Sequence, residues 1–277
     1  MRLPRLLITA TLSMWVCIGH ASMLSEELKA RYPGEQHLAL SAGEDALTVL
    51  QTSSRTTLPR GVAIILVETG YQGLTLPGAW QLSQRMSRWG WHVLIAPVEI
   101  NTVAQNTENG APTEITRFTD SSHSWVDATD WDTQVMLILN AAFAAVDREP
   151  GYRLVISQGM SAASVLKLDA QNKLPATDSL VTIAPFWPQA GLNQRIAQYL
   201  KDSPTPVLDI SGGLRNRWSA LTASERARQA TVNLKLHYRH QAISDDFAGS
   251  SLDTQLGSVF VNQVGKTIYG WVDYLGW

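Results

Sequence analysis

Ser161 is the side chain best placed to do chemistry. It lies in the stretch VISQGMSAASVL, Val155 to Leu166, where an apolar run ends before Ser157 and glycine and small residues follow. That order reads as a strand passing through a tight turn into a helix, the arrangement that presents a serine for attack on a carbonyl. The turn is strained and the helix packs close, so the pattern is small-x-nucleophile-x-small. It fits twice. In one register Ser157-Gln158-Gly159-Met160-Ser161 forms the turn and Gly159 stands at its apex; in the other Gly159-Met160-Ser161-Ala162-Ala163 does so and Ser161 attacks. A buried strand stays apolar up to its turn, as Leu154-Val155-Ile156 does directly before Ser157, which favours the first register. Glycine also adopts the apex backbone freely. Ser161 then reads as a small helix-start residue capping backbone amides.

The other chemistries have less behind them. His92 and His123 are isolated, without HxxxH or HxH spacing, so no metal is expected. No GxGxxG or GxxxxGK stretch follows a strand, so neither a nucleotide nor any other cofactor is expected. The pairs Asp130/Asp132 and Asp245/Asp246 read as caps and solvated loop ends rather than acid/base dyads.

These residues must be positioned by an alternation of strands and helices. Ser25 to Arg31 reads as a short helix. HLAL and ALTVLQTS alternate around the turn SAGED and predict a β-hairpin. GVAIILVE, Gly61 to Glu68, is continuously apolar, as a strand buried on both faces should be. Pro77 opens a helix that closes at Gly90, and WHVLIAPVE is the next strand. The chain is polar from about 100 to 130, a connection long enough to be a lid or an insertion. Asp130 is expected to cap the helix after it. YRLVIS, SLVTIAPF, TPVLDISGG and VNLKLHYRH follow as strands separated by helices, and a last helix runs from about Leu256 to Leu275. The fold class is therefore α/β: a mainly parallel central sheet with helices on both faces and an N-terminal antiparallel hairpin. Ligands of such sheets bind beyond the C-terminal ends of the strands.

This order and spacing resemble the α/β-hydrolase fold, with the turn after YRLVIS at the nucleophile elbow. More closely, RGVAIILVETG, LPGAWQLSQRMSRWGWHVL and TPVLDI resemble an uncharacterised bacterial family of exported or envelope proteins distantly related to those hydrolases. Arg88-Trp89-Gly90-Trp91 and Pro206-Val207-Leu208-Asp209 are the distinctive segments. The resemblance implies a fold rather than a known reaction, and members of that family often carry glycine at the elbow.

The hydrolase resemblance also implies an order: serine, then an acid after the TPVLDISGG strand, then a histidine after the last strand. Asp209 reads as lying inside its strand, and the loop GGLRNRW offers only Asn216. His237 reads as inside the last strand and His240 as its end, with Asp245 and Asp246 following in the wrong order. Ser161, Asp209 and His240 are the candidate triad, and they fit it poorly. The loop expected to supply oxyanion amides, Glu68-Thr69-Gly70-Tyr71-Gln72-Gly73, starts with a carboxylate where negative charge must be stabilised.

Composition bounds the setting. The 277 residues are 45% hydrophobic and 17% charged, enough for one sizeable core. Arg2 and Arg5, the apolar run LLITATLSMWVCIG and Gly19-His20-Ala21 read as a signal peptide over residues 1–21, leaving one domain over 22–277. Its removal takes the only cysteine, Cys17, and leaves a net charge of about −4, with no basic stripe for nucleic acid and no later membrane-spanning run. The expected location is the periplasm or cell envelope of a bacterium.

Trp125, Trp131, Trp187 and Trp218 fall on loops at the C-terminal edge of the expected sheet, where indole faces suit a small apolar, acyl or sugar ligand. Tyr71, Gln72 and Gln158 would supply polar contacts. The alternative is that each tryptophan plugs its own loop against the core. The reading is an exported hydrolase-fold protein with an absent or degraded triad, serving as a ligand-binding or envelope-associated factor. The competing reading is an ester or acyl hydrolase using Ser161 with His240. No protein partner is specified.

Overall fold

A computed structural model of the protein describes residues 23–43, 45–68, 73–99, 127–212, 216–243 and 254–277. Helix α1 (Met23–Arg31) precedes the hairpin of β1 (Gln36–Ala42) and β2 (Asp45–Thr52), which pair in antiparallel register. Then come β3 (Gly61–Glu68), α2 (Leu76–Arg88) and β4 (Trp91–Val98). After the long connection, α3 (Ala128–Ala145), β5 (Tyr152–Gln158), α4 (Gly159–Ala170), β6 (Ser179–Ile183), α5 (Ala190–Asp202), β7 (Val207–Gly212), α6 (Arg217–Val232), β8 (Tyr238–Ile243) and α7 (Thr254–Tyr274) complete the chain. The eight strands lie in the order β1-β2-β4-β3-β5-β6-β7-β8, parallel from β4 onward, with β2 antiparallel to β4.

The period-two alternation of a strand sends β3 into two cores. Val62, Ile64 and Leu66 join an apolar cluster with Trp131 and Val135 of α3 and Leu166 of α4. Ala63, Ile65 and Val67 join the opposite cluster with Leu82 of α2 and Ile268 and Trp271 of α7. Burial on both faces is why this strand is a continuous apolar run.

Three elements differ from the sequence expectation, each for a local reason. Helix α3 is capped by Asp127, whose carboxylate accepts from the amides of Thr129 and Asp130; Asp130 lies inside the first turn. Strand β5 continues through Ser157 and Gln158, polar residues that are nonetheless fully buried. The last strand begins at Tyr238, not near Val232. Leu234 and His237 take left-handed φ values of 49° and 50°, which end α6 in a turn, and Leu234 and Leu236 stand 82% and 80% exposed. His237 therefore precedes β8 and His240 sits in its middle.

Candidate functional site

The turn from β5 into α4 is made by Gly159, whose φ of +58° lies in the left-handed region that glycine enters without strain. Ser161 is two residues further on, inside the first turn of α4, and is fully buried. Its hydroxyl has no hydrogen-bond partner among the described atoms, so it does not cap the helix.

The cap comes from another strand. An N-cap side chain normally accepts an amide from the first turn of its helix. Gln158 holds that position in α4 but makes no such bond, because its amide group is committed to Leu74: Nε2 donates to the Leu74 carbonyl at 2.9 Å and Oε1 accepts the Leu74 N–H at 2.7 Å. Glu68 serves instead. In the parallel pairing of β3 with β5, Ile65 lies opposite Ile156, and continuing that register carries Glu68 to Gly159. Glu68 lies on the same face of β3 as Ile64 and Leu66, toward α4. Its Oε1 accepts a short hydrogen bond from the Ser161 amide, and the Met160 amide also favours the carboxylate.

Glu68 thus fills the space over the elbow. A Cβ on residue 159 would stand 2.6 Å from Glu68 Oε2, 3.3 Å from its Cδ and 3.3 Å from Phe186 Cε1. Burial pushes the Glu68 carboxyl up to about 7. The nearby Ser161 hydroxyl and the amides of Ser161 and Met160 pull the other way, though that hydroxyl is not in hydrogen-bonding geometry with the carboxylate. The positive end of α4 also favours a negative charge there. Glu68 Oε2 has no partner among the described atoms.

The other two triad candidates belong to a different part of the sheet. Asp209 and Arg226 form a fully buried ion pair, with Arg226 Nε 2.9 Å from Oδ2 and Nη2 3.2 Å from Oδ1. The Tyr238 hydroxyl donates to Oδ2 at 3.2 Å and the Thr182 hydroxyl to Oδ1 at 3.4 Å. Burial, then the Asp209 charge, holds the Tyr238 phenol well above its ordinary pKa. His240 is opposite Asp209 in the β7–β8 ladder, and its Nε2 is 2.8 Å from the Ser211 hydroxyl. Strand β8 is three strands from β5, roughly 14 Å at the usual interstrand spacing, so a histidine held within β8 does not reach the elbow. The structure does not bring Ser161, Asp209 and His240 together.

The aromatic candidates are mostly packed. Trp131 and Trp187 are buried and share one apolar cluster with Met160 and Phe186, against which the half-buried Trp218 packs. Trp218 lies in the first turn of α6 rather than on a loop, and Asn193 of α5 ties it to the loop of Trp187, accepting the Trp187 amide at 3.0 Å and donating to the Trp218 carbonyl at 2.9 Å. The side chain of Asn216 caps α6. His92 is 3.2 Å from Glu149, near the N-terminal ends of the strands. No cluster of three or more metal-ligating side chains occurs among the described residues, and no helix among them is long and apolar enough to cross a membrane. Tyr71, Gln72, His123, Trp125, Asp245 and Asp246 lie outside the described residues.

Sequence reasoning set the Glu68 carboxylate against the expected oxyanion site but missed that it caps the first turn of α4. The signal was present, a lone carboxylate ending an otherwise apolar strand, but its partner depends on the β3–β5 register.

Comparison with known proteins places this geometry on a familiar scaffold. The structure is similar to the carboxylesterase Cest-2923 from Lactobacillus plantarum, with a TM-score of 0.55 at 8% identity over 87% of this chain and 98% of that one. It is similar to a dienelactone hydrolase from Anabaena variabilis, with a TM-score of 0.54 at 10% identity over 85% and 97%. Est1E from Butyrivibrio proteoclasticus gives a TM-score of 0.53 at 11% identity over 86% and 99%. At such identities the likeness establishes the α/β-hydrolase fold. No curated protein matches the chain in sequence. The family described as protein of unknown function DUF3530 matches residues 19–272, and the chain belongs to that family.

Proposed function

We propose that this member of the DUF3530 family is an exported binding protein on an α/β-hydrolase scaffold, holding a small ligand at the C-terminal edge of its sheet without serine chemistry. One observation carries the reading: the Glu68 carboxylate lies against the amides of Met160 and Ser161 and over the bare Cα of Gly159. In acyl transfer, the amide after the nucleophile helps hold the developing oxyanion. Here that amide faces a carboxylate, and a glycine stands where the attacking side chain would project. The separation of His240 from the elbow and the commitment of Asp209 to Arg226 support the same reading. Export to the periplasm or envelope is supported by the basic and apolar residues before Ala21.

The test is a fluorophosphonate probe on the purified chain beginning at Ser22. The expected result is no labelling, unchanged in Ser161→Ala. Labelling that disappears in Ser161→Ala would establish a serine hydrolase instead.

A further inference from the structure

Two buried polar groups at the elbow have no hydrogen-bond partner among the described residues: Oε2 of Glu68, a residue 4% exposed, and Oγ of Ser161, a residue fully enclosed. Buried polar atoms ordinarily have partners, so a pair without them beside a strand end and a helix start points to something that completes the site. Building on the proposed binding role, we propose that the elbow recognises the hydroxyl of a neutral alcohol, phenol or sugar, which donates to Glu68 Oε2 and accepts from the Ser161 hydroxyl.

Elimination selects this chemistry. An ester carbonyl or a carboxylate only accepts, so it sets lone pairs against the ionised form of Glu68, and the Ser161 amide is already donating to Glu68 Oε1. An ammonium would have to leave water, a cost of several kcal/mol for a buried ion. It would meet a carboxyl that is half protonated near neutrality and whose charge already faces the positive end of α4. A neutral hydroxyl is both donor and acceptor and matches both open groups. Phe186, whose ring approaches the Gly159 apex, offers an apolar edge for a ring or a sugar face.

The experiment uses three probes of one shape, benzyl alcohol, benzoate and benzylammonium, titrated at pH 7 into the chain beginning at Ser22 and followed by ligand-observed NMR. Benzyl alcohol should saturate and bind about tenfold tighter than either ion, the scale of one well-made against one misplaced hydrogen bond. Its methylene protons should show contacts to the Phe186 ring in the unaltered protein, a readout that needs no variant. Glu68→Gln places an amide donor where an acceptor is required and should cut the preference over benzoate about fivefold or reverse it. Equal or tighter benzoate binding would overturn the hydroxyl inference while leaving a binding protein. Saturation by none of the three would also overturn it, leaving water to complete the site. Fluorophosphonate labelling at Ser161 is the separate result that would remove the binding reading beneath it.

Discussion

The Glu68 carboxylate occupies the space that a side chain at Gly159 would need: a Cβ on residue 159 would lie 2.6 Å from Oε2. The elbow glycine is required twice, by its φ of +58° and by this carboxylate. Gly159→Ala should therefore cost more than backbone strain alone. Left-handed strain contributes about 1 kcal/mol, and displacing a buried carboxylate adds about 2 kcal/mol. Urea unfolding of Gly159→Ala, Glu68→Ala and the double variant checks this. The glycine substitution should cost about 3 kcal/mol alone and about 1 kcal/mol once residue 68 is alanine. Additive costs would mean that the two residues do not compete.

The same burial makes folding stability depend on pH. The folded value for Glu68, about 7, lies above the ordinary 4.5. For an acid raised on folding, the stabilising contribution is complete below about pH 4.5 and is lost as pH rises through about 7. Such a shift corresponds to roughly 3 kcal/mol. Glu68→Gln removes this titration. The stability of the wild type minus that of Glu68→Gln should fall by about that amount between pH 4.5 and pH 8. A difference flat with pH would show that Glu68 keeps an ordinary carboxyl in the fold.

How far the molecule was legible from its sequence follows from where its information lies. Strand β3 was plain because burial on both faces leaves an uninterrupted apolar run, and the hairpin because its two halves alternate around a turn. The start of β8 was not, since Val232, Leu234 and Leu236 alternate like strand residues but belong to a helix end and an exposed turn. Ser157 and Gln158 looked too polar for a buried strand. They are accommodated because the Ser157 hydroxyl points to the Val181 carbonyl and Gln158 clasps Leu74, partners 24 and 84 residues away. The role of Glu68 was hidden for the same reason, as its bond to Ser161 spans 93 residues. Local pattern reports which face is buried. It does not report what a buried polar group meets there.

Asp209, a triad candidate by order along the chain, is a structural ion instead of a free acid in this fold. Its partner Arg226 is equally buried and also donates to the Thr222 hydroxyl at 2.6 Å. Removing one member of such a pair strands the other charge in the core. Arg226→Met should cost about 3–5 kcal/mol in urea unfolding, and Asp209→Leu about as much. The combined Asp209→Leu, Arg226→Met variant, with no stranded charge, should be more stable than either single variant. A double variant as unstable as the sum of the two would contradict this account.

Asn193 joins the loop that follows β6 to the first turn of α6, and its two bonds can be separated by chemistry. Its Oδ1 accepts the buried amide of Trp187, and its Nδ2 donates to the Trp218 carbonyl. Asn193→Ala leaves the Trp187 N–H without a partner in an apolar cluster, a cost of about 1–3 kcal/mol. Asn193→Asp keeps the acceptor and loses the donor. Hydrogen exchange distinguishes the two bonds: the Trp187 amide should lose protection in Asn193→Ala and keep most of it in Asn193→Asp. Both variants lose the tie to Trp218, so both should loosen the entry to α6, seen as faster exchange at Trp218 and Ser219, whose amides bond to Asn216. Equal loss at Trp187 in both variants would place its protection in packing rather than in this bond.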